Sequence, residues 1–84
     1  MTPIMYVLNW IHRYVENGVV VRDVTLIGVY DSEERAKIAI EEYRVENPAY
    51  TPYCNEDVTE WGEYEILKAP LNGFNVYVQP NNDR

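Results

Sequence analysis

Two strand-like segments flank an Asn-Gly dipeptide near the start of the chain. Residues 4–15 and 19–30 are rich in Val, Ile, Tyr, Thr and Trp, which favour β-strands. Asn17-Gly18 between them is typical of a type I′ turn, because both central residues of that turn need positive φ. The sequence therefore predicts a long hairpin over residues 4–30 whose paired positions sum to 35. In that register Trp10 lies opposite Thr25, Leu8 opposite Ile27 and Tyr6 opposite Val29.

A helix start follows the hairpin directly. Asp31 or Ser32 is suited to cap the first turn, and the acidic pair Glu33 and Glu34 complements the helix dipole there. Asn47 precedes a proline and is therefore disfavoured in the α conformation, so the helix must end before it. The sequence predicts a helix over residues 33–44.

The second half of the chain has a weaker pattern. Residues 47–60 show no period and contain several Pro, Asn and acidic residues, which predicts an acidic loop. Residues 64–71 alternate as a strand, and Asn72-Gly73 supplies another type I′ turn into residues 74–79. We therefore predict a second hairpin over residues 64–79. The whole chain, residues 1–84, is expected to be a single α+β domain of ββαββ order, an antiparallel sheet of two hairpins with one helix packed on it.

Two segments of the first half carry a family resemblance. Residues 5–8 (MYVL) and 26–36 (LIGVYDSEERA) resemble small bacterial and phage domains of unknown function, which have an N-terminal Met-Tyr-Val strand and an I-G-V-Y-x-S-x-E-x-A strand-to-helix motif. The resemblance covers residues 5–43. It implies the fold, with Gly28 for close approach, Ser32 as helix cap and Ala36 for docking, and it implies no activity.

Negative charge is concentrated in one part of the sequence. The chain has a formal net charge of −7, which opposes direct binding to nucleic-acid phosphate. Residues 41–65 contain eight acidic residues and one Arg, whereas the regions on either side are nearly neutral. Tyr and Trp side chains lie in the same stretch, and carboxylates mixed with aromatic rings favour a protein-binding surface. An ordinary solvated acidic face is the alternative. The predicted partner-binding residues are Glu42, Glu46, Tyr50, Tyr53, Glu56, Asp57, Glu60, Trp61 and Glu63.

Three functional hypotheses follow from these patterns. The first is a small acidic, non-enzymatic protein-binding module, such as a phage-type inhibitor, that engages a basic or nucleic-acid-handling bacterial protein. The second is a homo-oligomeric structural domain, a homodimer for example, that buries its long hairpin against another copy. The third is a small ligand-binding domain or enzyme that uses His12, which faces Asp23 in the predicted register, together with nearby tyrosines.

The oligomer hypothesis specifies a seam along one face of the hairpin. The predicted seam residues are Ile11, Val15, Val20 and Val24. Arg13 opposite Arg22 argues against a wholly dry seam, because like charges would face each other.

Few residues are suited to catalysis or metal binding. The chain has one His and one Cys, and Cys54 adjoins acidic residues that oppose thiolate formation. Asn55, Asp57 and Glu60 offer oxygen ligands but lack the spacing of an EF-hand loop. We therefore expect no enzymatic activity, no catalytic residues, no cofactor and no metal site.

The N-terminal sequence also indicates where in the cell the protein is found. The N-terminal segment has no basic residues before its apolar stretch, and polar residues interrupt that stretch well before about 18 positions. We expect a cytoplasmic protein, or one in the host cytoplasm if its source is viral, with no membrane partner.

Overall fold

A computed structural model describes residues 3–70 of the chain. The elements within that range are β1 (Ile4–Glu16), β2 (Val19–Tyr30), α1 (Glu33–Glu46), a short 3₁₀ helix (Pro48–Tyr50), β3 (Tyr53–Asn55) and β4 (Glu60–Pro70). The strands form one antiparallel sheet in the order β2-β1-β4-β3. The predicted α+β class, with two strands before the helix and two after it, is confirmed for the described residues.

Residues 53–70 form a hairpin that the sequence does not predict, and its second strand contains residues 64–70 of the predicted third strand. The predicted loop, residues 47–60, contains the 3₁₀ helix and β3, and β4 begins at Glu60. Tyr53 pairs with Gly62 and Asn55 pairs with Glu60, so β3 and β4 form this hairpin. A strand of three residues is too short to show the alternation that identifies a strand in sequence. The predicted turn at Asn72-Gly73 and the strand at residues 74–79 lie outside the described residues.

The first hairpin follows the predicted register over most of its length. Asn17 and Gly18 have φ values of 54° and 78°, as a type I′ turn requires. The pairs from Glu16↔Val19 to Trp10↔Thr25 have the predicted register.

The register changes near the far end of this hairpin. The predicted pairs of Leu8 with Ile27 and of Tyr6 with Val29 are wrong, because a β-bulge between Leu8 and Asn9 moves Leu8 opposite Gly28 and Tyr6 opposite Tyr30. One extra residue of β2 is accommodated at the bulge. The side chain of Tyr30 fills the space beside Gly28, since a Cβ there would lie 2.6 Å from the Tyr30 hydroxyl oxygen.

Helix α1 is capped at both ends. The Ser32 hydroxyl accepts a hydrogen bond from the Arg35 backbone N–H at 3.1 Å, which selects Ser32 of the two predicted caps. At the other end, the backbone N–H of Asn47 donates to the carbonyl of Tyr43. The helix extends two residues beyond the predicted end at residue 44 and stops before Pro48. Ala36 is fully buried against the sheet, in agreement with its predicted docking role.

The core is centred on β1, which lies between β2 and β4. Val7, Leu8, Trp10 and Ile11 are buried on this strand. Successive side chains alternate between two faces of the sheet. We call the side with Leu8 and Trp10 the helix face, because α1 and the 3₁₀ helix pack on it, and the other side the open face.

Candidate functional site

The helix face contains an open groove beyond the end of α1, which we call the polar groove. Its volume is about 410 Å³. Its lining residues come from β1, β2, the 3₁₀ helix, β3 and β4: Trp10, His12, Asp23, Thr25, Ala49, Tyr50, Tyr53 and Glu60.

His12, Tyr53 and Glu60 form a hydrogen-bonded cluster in the polar groove. Nε2 of His12 lies 2.7 Å from Oε2 of Glu60, and the Tyr53 hydroxyl donates to the same oxygen at 2.9 Å. The three residues are brought together by pairing within the sheet, since β4 lies between β1 and β3. The His12 and Glu60 side chains are about one-third exposed, so the cluster lies at the surface of the groove.

Hydrogen bonds and desolvation change the acidity of two groups in this cluster. The bond from His12, followed by the bond from Tyr53, lowers the pKa of Glu60 below its ordinary value. Desolvation, followed by the interaction with the Glu60 carboxylate, raises the pKa of Tyr53. Glu60 is therefore an ionised acceptor at neutral pH, and Tyr53 is a protonated donor.

Asp23 contributes a second carboxylate to the polar groove. It lies opposite His12 in the pairing of β1 with β2, as the sequence predicts. Its charge is the largest cause of the raised pKa of Tyr14, whose ring stacks on that of His12 with centroids 4.9 Å apart. Carboxylates on β2 and β4 thus lie on either side of the central His12.

Aromatic packing fixes one wall of the polar groove. Trp10 makes edge-to-face contacts with Tyr50, at 5.4 Å between ring centroids, and with Tyr64, at 4.9 Å. The Tyr64 hydroxyl donates to the backbone carbonyl of Tyr50, which ties the 3₁₀ helix to β4. Burial is the largest cause of the raised pKa of Tyr64.

Gly62 leaves the space that this aromatic packing requires. A Cβ at this position would collide with the indole of Trp10 and would lie 2.5 Å from the ring of Tyr53. The absence of a side chain at Gly62 therefore lets both rings cover β4.

A second groove, the helix groove, lies between α1 and the end of β2. Its volume is about 670 Å³. The apolar lining comes from Ile27, Ala39 and Val45, with Tyr30 and Tyr43, and the acidic lining from Glu41, Glu42 and Glu46. Glu41 is paired with Arg44. The groove therefore combines apolar surface with carboxylates and has no Lys or Arg in its lining.

The open face has a different chemistry. Arg13 and Arg22, which lie opposite each other as predicted, each pair with a carboxylate on β4. Arg13 lies 3.3 Å from Glu63, and Arg22 lies 3.5 Å from Glu65. The charges on this face therefore compensate one another.

The predicted partner-binding residues divide among four places in the fold. Tyr50, Tyr53 and Glu60 line the polar groove, and Glu42 and Glu46 line the helix groove. Glu56 and Asp57 are exposed in the turn between β3 and β4. Trp61 and Glu63, which pair with Arg13 and Ile11, belong to the open face.

The predicted seam residues all lie on the open face. Ile11 is fully buried, whereas Val15, Val20 and Val24 are exposed along the hairpin. The prediction of partner-binding residues missed the contributions of Trp10, Asp23 and Thr25 to the polar groove. The hairpin register was the available signal, because it places the side chains of all three on the same face as His12.

No cluster of three or more His, Cys, Asp or Glu side chains that could hold a metal ion occurs among residues 3–70. Cys54 pairs with Trp61 and is exposed, and it does not line either groove. In the described part of the chain, no helix is long and apolar enough to span a membrane.

A family model matches residues 4–69, from the first residue of β1 to the penultimate residue of β4. The chain belongs to the family described as Domain of unknown function (DUF7336). The DUF7336 match includes every residue that lines the two grooves, and it confirms the predicted resemblance to a small domain of unknown function. No curated protein and no solved structure was found to match the chain.

Proposed function

We propose that this protein is a small, acidic, non-enzymatic binding module that holds basic side chains of a protein partner in the polar groove. The observation that carries this proposal is the position of Asp23 and Glu60 in one open groove with the rings of Trp10, Tyr50 and Tyr53. Carboxylates form charge-assisted hydrogen bonds with Lys and Arg, and aromatic faces attract cations. A basic side chain would meet both kinds of partner in the polar groove.

The state of Glu60 supports this role. Its carboxylate is charged at neutral pH, and the hydrogen bonds from His12 and Tyr53, which lower its pKa, stabilise that form. His12 and Tyr53 both contact Oε2, and no described side chain donates to Oε1. Oε1 is therefore the oxygen that would accept a hydrogen bond from a bound ammonium or guanidinium group.

The same contacts favour binding over catalysis. A hydrolytic site needs a nucleophile, a base and a group that stabilises developing charge. Among the described residues that line this groove, Thr25 supplies the only aliphatic hydroxyl, and none of them is a Cys, Lys or Arg. A non-enzymatic role requires none of the missing components.

The overall charge supports a basic partner. A net charge of −7 attracts basic proteins over long range and accelerates their association. Glu42, Glu46, Glu56 and Asp57 are exposed on or beside the helix face and would extend the acidic surface. Within this proposal, a phage-type inhibitor would imitate nucleic-acid phosphates towards a nucleic-acid-handling protein of a bacterium.

A random decapeptide library displayed on phage would test the proposed function. We expect the selected peptides to be enriched in Lys and Arg and their binding to weaken as salt rises. Asp23→Asn with Glu60→Gln should raise the Kd of a selected peptide at least tenfold, about 1.4 kcal/mol. Glu33→Gln with Glu34→Gln, at the opposite end of α1, makes the same change in net charge and should alter Kd less than twofold. Selection of peptides without basic residues, or equal effects of the two double variants, would contradict the proposal.

A homo-oligomeric role is the second candidate, favoured by one observation on the open face. Val15, Val20 and Val24 are exposed there, and the pairing of Arg13 and Arg22 with carboxylates removes the objection that like charges face each other. Sedimentation velocity at high micromolar concentration would test this candidate. A strict monomer would contradict it, whereas a dimer that Val20→Asp and Val24→Asp abolish would support it.

A further inference from the structure

Strand β2 forms one edge of the sheet. Among residues 3–70, β1 is the only strand that pairs with it. The strand has 12 residues, about twice the common length of ~5 to 6. Proteins often protect exposed edges with Lys, Pro, other charged residues, bulges or short strands. β2 contains neither Lys nor Pro; its charged residues are Arg22, which pairs with Glu65 of β4, and Asp23, and its bulge begins only after Leu26.

The hairpin geometry indicates which backbone groups point away from β1. In a two-residue hairpin the pair that closes the turn, here Glu16↔Val19, exchanges hydrogen bonds, and bonded and non-bonded pairs then alternate along the ladder. The outward N–H and C=O groups before the bulge therefore belong to Val20, Arg22, Val24 and Leu26. These groups offer hydrogen-bonding positions to an added strand.

The two sides of this edge differ in chemistry. On the helix face it is bordered by Asp23 of the polar groove and by Glu42 and Glu46 of the helix groove. On the open face it carries Val20 and Leu26, which are about 60% exposed. An occupant that complements both sides must be basic on one side and apolar on the other.

We propose that an extended segment of the partner adds to β2 as a further strand of the sheet. Side chains of a strand alternate between its two faces, so the segment that fits has basic residues at every second position and apolar residues between them. The bulge takes up one position of β2 between Asp23 and Tyr30, since only the seven residues from Tyr6 to His12 of β1 lie opposite this stretch. An added segment of about seven or eight residues, roughly 23 Å, would therefore span both grooves with its alternation intact. This inference rests on the proposed function, because it specifies how the basic partner binds.

Backbone methylation of a synthetic peptide separates strand addition from other ways of binding. The probe is an acetylated, amidated octapeptide of alternating Lys and Val. One derivative is N-methylated at the Val residues and the other at the Lys residues, so the two differ only in which edge has lost its N–H groups. An Ala- and Lys-rich helical peptide of equal charge represents a different occupant.

We expect the unmodified octapeptide to bind with a measurable Kd in fluorescence polarisation and one methylated derivative to bind at least tenfold more weakly than the other. Loss confined to the Val derivative indicates antiparallel addition, and loss confined to the Lys derivative indicates parallel addition. Binding by Glu42→Gln with Glu46→Gln should also be weaker than binding by Glu33→Gln with Glu34→Gln.

Other outcomes overturn the inference in distinguishable ways. Equal binding of the two methylated derivatives, or binding of the helical peptide alone, contradicts strand addition and leaves the proposed function standing. Failure of every basic probe to bind at 1 mM contradicts both. A dimer in sedimentation velocity whose formation prevents the octapeptide from binding shows that a second copy occupies the edge instead, which also contradicts the inference.

Discussion

The helix face and the open face share the same strands but expose different chemistry. On the helix face, Asp23 and Glu60 border a groove with aromatic walls. On the open face, Arg13 and Arg22 neutralise Glu63 and Glu65 within a field of exposed aliphatic side chains. A cluster of acidic residues in the sequence therefore need not form one acidic surface. Here alternation along β4 divides the cluster between the two faces.

Among the variants proposed here, Trp10→Ala on the helix face is expected to lower the free energy of unfolding most. Trp10→Ala would remove the ring that contacts both Tyr50 and Tyr64, and we expect a loss of about 3–5 kcal/mol in the free energy of unfolding. Val24→Ala, on the half-exposed surface of the open face, should cost less than about 1 kcal/mol. Urea unfolding followed by circular dichroism would measure both. Equal losses would contradict the packing described for the Trp10 ring.

A smaller loss of stability is expected from a side chain added at Gly62, where the backbone of β4 contacts the rings of Trp10 and Tyr53. Gly62→Ala should destabilise the fold by about 1–3 kcal/mol, because its Cβ would collide with Trp10 and Tyr53. Gly18→Ala provides the comparison, since nothing lies near its Cβ and only its positive φ opposes the change. We expect about 1 kcal/mol there. Thermal unfolding of the two variants would reveal the difference, and a Gly62→Ala protein as stable as wild type would refute the packing described for the polar groove.

The smallest difference is expected between wild type and Glu60→Gln, in how the free energy of unfolding depends on pH. The pKa of Glu60 is lower in the folded state than in the unfolded state, so its contribution to stability is fully present above about pH 4.3 and is lost as pH falls through the folded pKa. Glu60→Gln should therefore lose less stability than wild type on acidification from pH 5 to pH 3. Urea midpoints across this range would measure the slopes. Parallel slopes would contradict the hydrogen bonds from His12 and Tyr53, and Glu34→Gln serves as the exposed control.

Local sequence signals were sufficient for the first half of the fold. Asn17-Gly18 determines the turn and most of the hairpin register, and Ser32 and Pro48 mark the start and end region of α1. The bulge was not predicted, although a glycine within a strand, here Gly28, is one of its known signals. The three-residue β3 has no such signal, and its position depends on pairing with residues 60–62 of β4.

The candidate site was predictable only in part. Acidic and aromatic residues occur close together in the sequence, and this pattern predicts Tyr50, Tyr53 and Glu60 as partner-binding residues. The bond between His12 and Glu60 joins residues 48 positions apart and depends on the pairing of β1 with β4. That pairing was not deduced, because the sequence contains no turn that connects these two strands directly. The separation of Glu63 from Glu60 has the same cause.

The bulge near Gly28 also determines which length changes this arm of the hairpin can accept. Two residues separate the end of β2 from the start of α1, and Tyr30 lies beside the helix. Ile27 is the residue of β2 without a partner on β1, because Leu26 pairs with Asn9 and Gly28 pairs with Leu8. Deletion of Ile27 would therefore leave the other pairs unchanged and would keep Tyr30 on the same side of the sheet. A single deletion elsewhere in β2 would instead shift the register of the residues beyond it, so natural variation in the length of this strand should be concentrated at the bulge.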